Sequence, residues 1–232
     1  MRHISYDNDH PLARDFIARV EQPAFPCVGA KSALGRGQMD ILVARDLRSA
    51  WDDLRILPAL TTTVAKYHAD RAIFRTMVVV FEQPGDLCEE QFEQHLWARA
   101  QSLSDKDAWV GNRPNDSVSA DPEDPHFSLS FAGEAFFVVG LHPNASRPAR
   151  RFANPALVFN LHDQFEVLRD QQRYEKLRSS ILQRDIALAG SINPMLARHG
   201  EASEARQYSG RAVDAGWKCP FHRADAPGAL GA

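Results

Sequence analysis

Apolar residues fall at four-residue steps at the start of the chain. Leu12, Phe16 and Val20, between His10 and Gln22, predict an amphipathic helix opened by Pro11 and stopped by Pro23 and Pro26. A short strand near Phe25, a turn at Gly35-Arg-Gly37 and a strand over Met39–Val43 read as a hairpin. Trp51, Leu54, Leu57 and Leu60 then recur at three-residue steps, which predicts a helix from Arg48 to about His68 with Pro58 as a kink or break. The β-branched run Arg75–Phe81 reads as a buried strand ended by Gln83-Pro-Gly85. Phe92, Leu96 and Ala100 form the stripe of a further helix over Glu89–Leu103.

Residues 105–126 are rich in Asp, Pro and Asn and read as a long exposed loop, with Trp109 as an aromatic lacking an obvious core. Phe127–Phe131 alternates and Ala135–Val139 does not, so an outer strand is expected to pair through Ala132-Gly133 with a central one. Pro155–Asn160 is a further apolar run. Asn160 is then a good N-cap for a helix that buries Leu161, Phe165 and Leu168 and continues past Leu177 to Ile186. Beyond Ser191 the chain is polar and broken. The pattern as a whole points to an α+β fold, a mostly antiparallel sheet with packed helices and an irregular C-terminal arm, in a single domain over residues 1–222 with a flexible tail over 223–232.

Composition narrows the function more than the fold. With 232 residues, 44% apolar and 25% charged, one globular domain is expected, and a net charge of −3 supplies no field for a polyanion, so nucleic acid is not expected as a partner. No run of about 18 apolar residues exists to span a bilayer and the first thirty residues are too polar for a signal peptide, so no membrane partner is expected either. Three widely spaced cysteines, Cys27, Cys88 and Cys219, make a poor disulfide framework and fit a reducing, cytoplasmic compartment.

Candidate chemistry concentrates in residues 134–169. The run Glu134–Leu141 empties into His142-Pro143 and then Arg147, Arg150 and Arg151, and the next apolar run delivers His162 to a helix start. Imidazoles at the ends of buried elements, beside guanidinium groups, suit a cofactor that needs an axial nitrogen and carries acidic arms, as haem does. Competing readings stay open: His142 as a strand-end cap, His162 with Glu166 and Arg169 as one stripe of surface pairs, and the arginines as a solvated face. Cys219, before Pro220, is a thiolate ligand or a tail clamp held by Trp217 and Phe221. Cys27 reads as a core thiol.

Taken in order, Phe25-Pro-Cys27, Gly140-Leu-His-Pro143, Ser146-Arg147 with Arg150-Arg-Phe152, Phe159-Asn160 with His162-Asp-Gln-Phe-Glu166, Leu168-Arg169 and Cys219-Pro-Phe221 resemble the YqcI/YcgG family over residues 10–222. The resemblance implies a haem b protein, and within it a shorter, guanitoxin-type member of the haem-dependent monooxygenases that N-hydroxylate guanidine groups of arginine-like small molecules. It implies His142 as the axial iron ligand, His162 as the next choice and Cys219 as the thiolate alternative, with Arg147, Arg150 and Arg151 on propionates and Cys27 also near the cofactor. A cationic guanidinium needs a carboxylate, for which Glu166, Asp163 and Glu134 are nearest in sequence. Partners then include O2, a guanidino substrate, a separate electron donor and a second copy of the chain. Two other outcomes stand beside this one, a haem sensor or carrier without turnover and a haem-free structural domain.

Overall fold

The computed structural model describes residues 5–71, 74–198 and 200–223; the expected tail lies almost wholly outside them. Five strands form one sheet: β1 (Met39–Asp46), β2 (Thr76–Gln83), β3 (Leu129–Phe131), β4 (Glu134–Leu141) and β5 (Ala156–Leu161). Their spatial order is β1-β2-β5-β4-β3, with β1 and β2 parallel and every other neighbour antiparallel. The architecture is a single α+β domain.

Side chains alternate across a strand, so each strand serves two layers. On one face Leu42, Met77, Val79, Phe136, Val138, Leu157 and Phe159 pack against α3 (Asp53–Ala69) and α4 (Glu89–Trp109). On the other, Ile41, Val43, Val78, Val80, Leu141 and Val158 meet α1 (Pro11–Glu21) and α2 (Val28–Gly35). The remaining helices, α5 (Asp163–Asp170), α6 (Tyr174–Ala189) and the single turn α7 (Ala205–Tyr208), follow β5.

The sheet's β1 edge is covered by the chain before α1. Asp7 and Asn8 bond the backbone of Met39, Ile41 and Val43, occupying groups that an open edge would offer to another chain. Gly140 marks the closest approach of the sheet to α4: a Cβ there would stand 2.6 Å from Phe92 Cε1 and 2.9 Å from Leu96 Cδ1. Gly140→Val is therefore expected to destabilise by about 1–3 kcal/mol, the usual cost of overpacking a core. A urea midpoint equal to wild type would contradict it.

Several sequence expectations shift here. No strand forms near Phe25; instead Cys27 Sγ accepts from Ala30 N–H and caps α2, so the expected hairpin is a helix feeding a strand. Pro58 lies within α3 without ending it. α4 runs on to Trp109, past the expected loop start. Asn160 belongs to β5, His162 is the N-cap position of α5, and the single long helix expected after it is two, separated where Gln172 takes a left-handed φ of 55°. The β3–β4 hairpin turns at Ala132-Gly133 as read, both at positive φ.

Candidate functional site

On the α1–α2 face the packing is incomplete. β4 and β5 are interior strands, yet Phe137, Val139 and Asn160 remain only partly buried. The reason lies in α6, which packs mainly on α2, α5 and the 3-10 turn at Pro148–Arg150. It is held near its C-terminal end: Arg147 pairs with Asp185, and Arg184 donates to the carbonyls of Pro23 (2.5 Å) and Phe25 (3.2 Å). Its apolar side chains Leu177, Ile181 and Leu182 are likewise only partly buried. Between helix and sheet lies a mainly apolar cavity of about 230 Å³, lined also by Cys27, Phe74, Thr76, Phe165, Leu168 and Tyr174.

The polar groups on this wall are few. His162 and Glu204 both line the cavity and both are nearly buried, with His162 Nε2 3.4 Å from Glu204 Oε1. Strand parity aims His162 here, in phase with Val158 and Asn160, and its backbone N–H is fixed on Ala135 O at 2.8 Å. Arg169 and Arg178 supply the cationic lining; Arg169 is ion-paired with Glu166 and lies 4.5 Å from the Tyr174 ring centroid. Burial pushes the Cys27 thiol up, opposed by the α2 backbone N–H groups of Ala30 and Gly29. Among the described residues no group of three or more His, Cys, Asp or Glu side chains is arranged to hold a bare metal ion, and no helix is long and apolar enough to cross a membrane.

A family model described as the YqcI/YcgG family matches residues 14–222. The chain belongs to the YqcI/YcgG family. No curated protein and no solved structure matches it.

Within this YqcI/YcgG chain the residues singled out in the sequence separate into three places. His162 and Cys27 line the cavity. His142 lies on the opposite face, in phase with Phe136 and Val138, stacked on Phe92 with ring centroids 4.4 Å apart. Cys219 is also on that side, in the cluster that holds Trp97 and Phe221, and burial raises its thiol to about 12. The arginines after β4 serve the protein itself. Arg150, lowered to about 10 by burial, donates to the carbonyls of Gly140, Tyr208 and Gln207; Arg151 donates to Ala145 and Ser146. Of the three carboxylates, Glu134 pairs with His68 at 3.0 Å, Asp163 accepts from Tyr67 (2.5 Å) and Arg71 (2.9 Å), and Glu166 pairs with Arg169.

Sequence reading missed Glu204, Arg178 and the α6 face. A four-residue step, Leu177 to Ile181, does mark α6 as amphipathic, but no pattern tells a buried stripe from one facing a void. Glu204 sits in a stretch with no periodicity at all.

Burial holds the His142 imidazole below its ordinary pKa; Arg150 adds to this and Glu89 opposes it. A histidine with a folded pKa under its unfolded value of about 6.5 favours the unfolded state once protons bind, so its stabilising effect is present above that pH and is lost as pH falls below it. His142→Gln is expected to flatten the stability loss between pH 7 and pH 5 in urea titrations. Parallel curves for the variant and wild type would remove this role.

Proposed function

We propose that the cavity under α6 takes haem on His162 and that the protein is a haem-dependent N-hydroxylase of small guanidino compounds. The observation that carries the reading is the missing layer between interior strands β4 and β5 and the apolar side of α6, with an imidazole in its wall. Family membership supports it, through the resemblance to guanidine N-hydroxylases. The donor set fits the group: imidazole for iron, Arg169 and Arg178 for acidic arms, apolar side chains for the macrocycle. At about 230 Å³ the space is below the roughly 300–1,000 Å³ of ordinary ligand sites, so haem would need the wall to open beyond the form described.

When bound, haem would supply the oxygen chemistry. The chain's own contribution is positional. His162 is fixed at the β5–α5 junction by its backbone hydrogen bond, and Phe137, Val139, Leu168 and Ile181 supply an apolar wall around it. A second reading is favoured by one feature: Cys27 lines the same cavity as His162, and iron held by both would describe a carrier or sensor.

The experiment is to add hemin to purified protein and follow the Soret band, then to incubate the product with agmatine or arginine, O2 and a reductant. Hydroxylation predicts a product heavier by one oxygen atom. A six-coordinate spectrum with no product selects the carrier, and the lack of any Soret change removes both.

A further inference from the structure

Three uncharged polar side chains stand together where β2 begins and β5 ends. Thr76 and Asn160 are directly paired across these antiparallel strands, on the face that Val78, Val80 and Val158 also occupy, and Gln164 follows in the first turn of α5. All three line the cavity.

Each has already committed its donor to the backbone. Thr76 Oγ1 donates to Phe159 O at 3.1 Å, Asn160 Nδ2 to Phe137 O at 3.3 Å, and Gln164 Nε2 to both Arg75 O at 2.7 Å and Leu161 O at 3.2 Å. Because a carbonyl can only accept, these partners fix which end of each amide is nitrogen and which is oxygen. The two amide oxygens are left over. Gln164 is buried and its Oε1 has no hydrogen-bond partner, while Asn160, only partly buried, makes no hydrogen bond through Oδ1 among the described residues.

A ligand that enters at this point meets neutral oxygen acceptors, and burying them without bringing donors to them costs free energy. Being uncharged, they select for donors and their geometry more than for net charge. The nearest cation in sequence that shares the lining, Arg169, is already paired with Glu166. A guanidino group, planar with N–H donors spread around its rim, can meet several acceptors at once, whereas an ammonium is a compact point charge.

We propose that Asn160 and Gln164 form a guanidino-recognition subsite of this cavity: their amide oxygens accept from the N–H groups of the substrate, and the carbonyls of Phe137, Arg75 and Leu161 hold the amides in that orientation. The inference rests on the proposed function for the choice of a guanidino compound. The two unmatched acceptors belong to the protein itself.

The test compares agmatine with putrescine, which carries an amine where agmatine has its guanidino group. Calorimetric titration of the full-length protein, as purified and after loading with hemin, is expected to show agmatine bound at least about tenfold more tightly than putrescine in one state or both. Asn160→Leu gives up a single 3.3 Å hydrogen bond at a partly buried position, so it is expected to fold. It should weaken agmatine about tenfold and leave putrescine nearly unchanged. Gln164→Met should act in the same direction, with urea unfolding as the check on its fold, and the Asn160 result decides if it does not fold. Agmatine bound no more tightly than putrescine, or an Asn160→Leu variant that loses both equally or neither, overturns the proposal. If hemin-loaded protein turns agmatine over, Asn160→Leu should raise KM with hemin affinity kept; an unchanged KM removes the subsite and leaves the haem reading. A protein that takes no hemin but keeps the Asn160-dependent preference loses the haem reading and keeps the subsite.

Discussion

His162→Ala is expected to abolish tight hemin binding, weakening it by more than the roughly 10- to 100-fold that follows loss of an outer partner of a metal ligand. His142→Ala is expected to leave it intact. The contrast follows from strand parity: His162 continues the phase of Val158 and Asn160 on β5 and lines the cavity, whereas His142 continues the phase of Phe136 and Val138 on β4 and stacks on Phe92. Cys219→Ser, a change on the His142 side of the sheet, should also retain the cofactor. Cys27→Ser distinguishes hydroxylase from carrier, since only iron bound by both cavity donors would change its spectrum on losing the sulfur. The measurement is hemin affinity with the ferrous–CO spectrum for all four variants. Loss of hemin from His142→Ala in a protein that still unfolds cooperatively would move the site to the other face.

The largest effect on stability is expected at the junction of α3 and α4. Asp53 and Arg99 are almost wholly buried and ion-paired, with Ser102 Oγ 2.7 Å and Lys106 Nζ 3.0 Å from the other carboxylate oxygen. Removing one member of such a pair leaves a buried charge without its counterpart, which typically costs about 3–5 kcal/mol, whereas replacing both by apolar groups is often near neutral. Asp53→Ala should therefore unfold at much lower urea concentration than wild type. Asp53→Leu combined with Arg99→Met should recover much of that loss, Lys106 remaining partly exposed to water. Equal destabilisation of the single and double variants would mean that shape, and not the stranded charge, sets the cost.

The sheet was largely legible because its strands carry unambiguous signals. Val78, Val79 and Val80 in β2, and Ala156, Leu157, Val158 and Phe159 in β5, are apolar on both faces, as interior strands require. The miss near Phe25 has a local cause: Cys27 acts as an N-cap through sulfur, a cue that Ser or Asp gives more plainly. The split between α5 and α6 depends on one left-handed residue, Gln172, whose type does not advertise that conformation. For the site, alternation places His142 and His162 each in phase with its own strand, but it does not say which face of the sheet lacks a covering layer. Arg147, Arg150 and Arg151 read as anion receptors from their clustering. In the fold they meet a carboxylate and part-buried backbone carbonyls.

Because the sheet backbone lies between the Asp53–Arg99 layer and the cavity, engineering of this chain divides by layer. Repacking around Asp53 and Arg99 and reshaping the α6 face of the cavity involve separate neighbours, so their free-energy effects should add, whereas changes at Tyr67, bonded to Asp163 of α5, or at Trp97, stacked on Tyr208, reach both sides. Robustness won on one side can then be spent on altered ligand preference on the other.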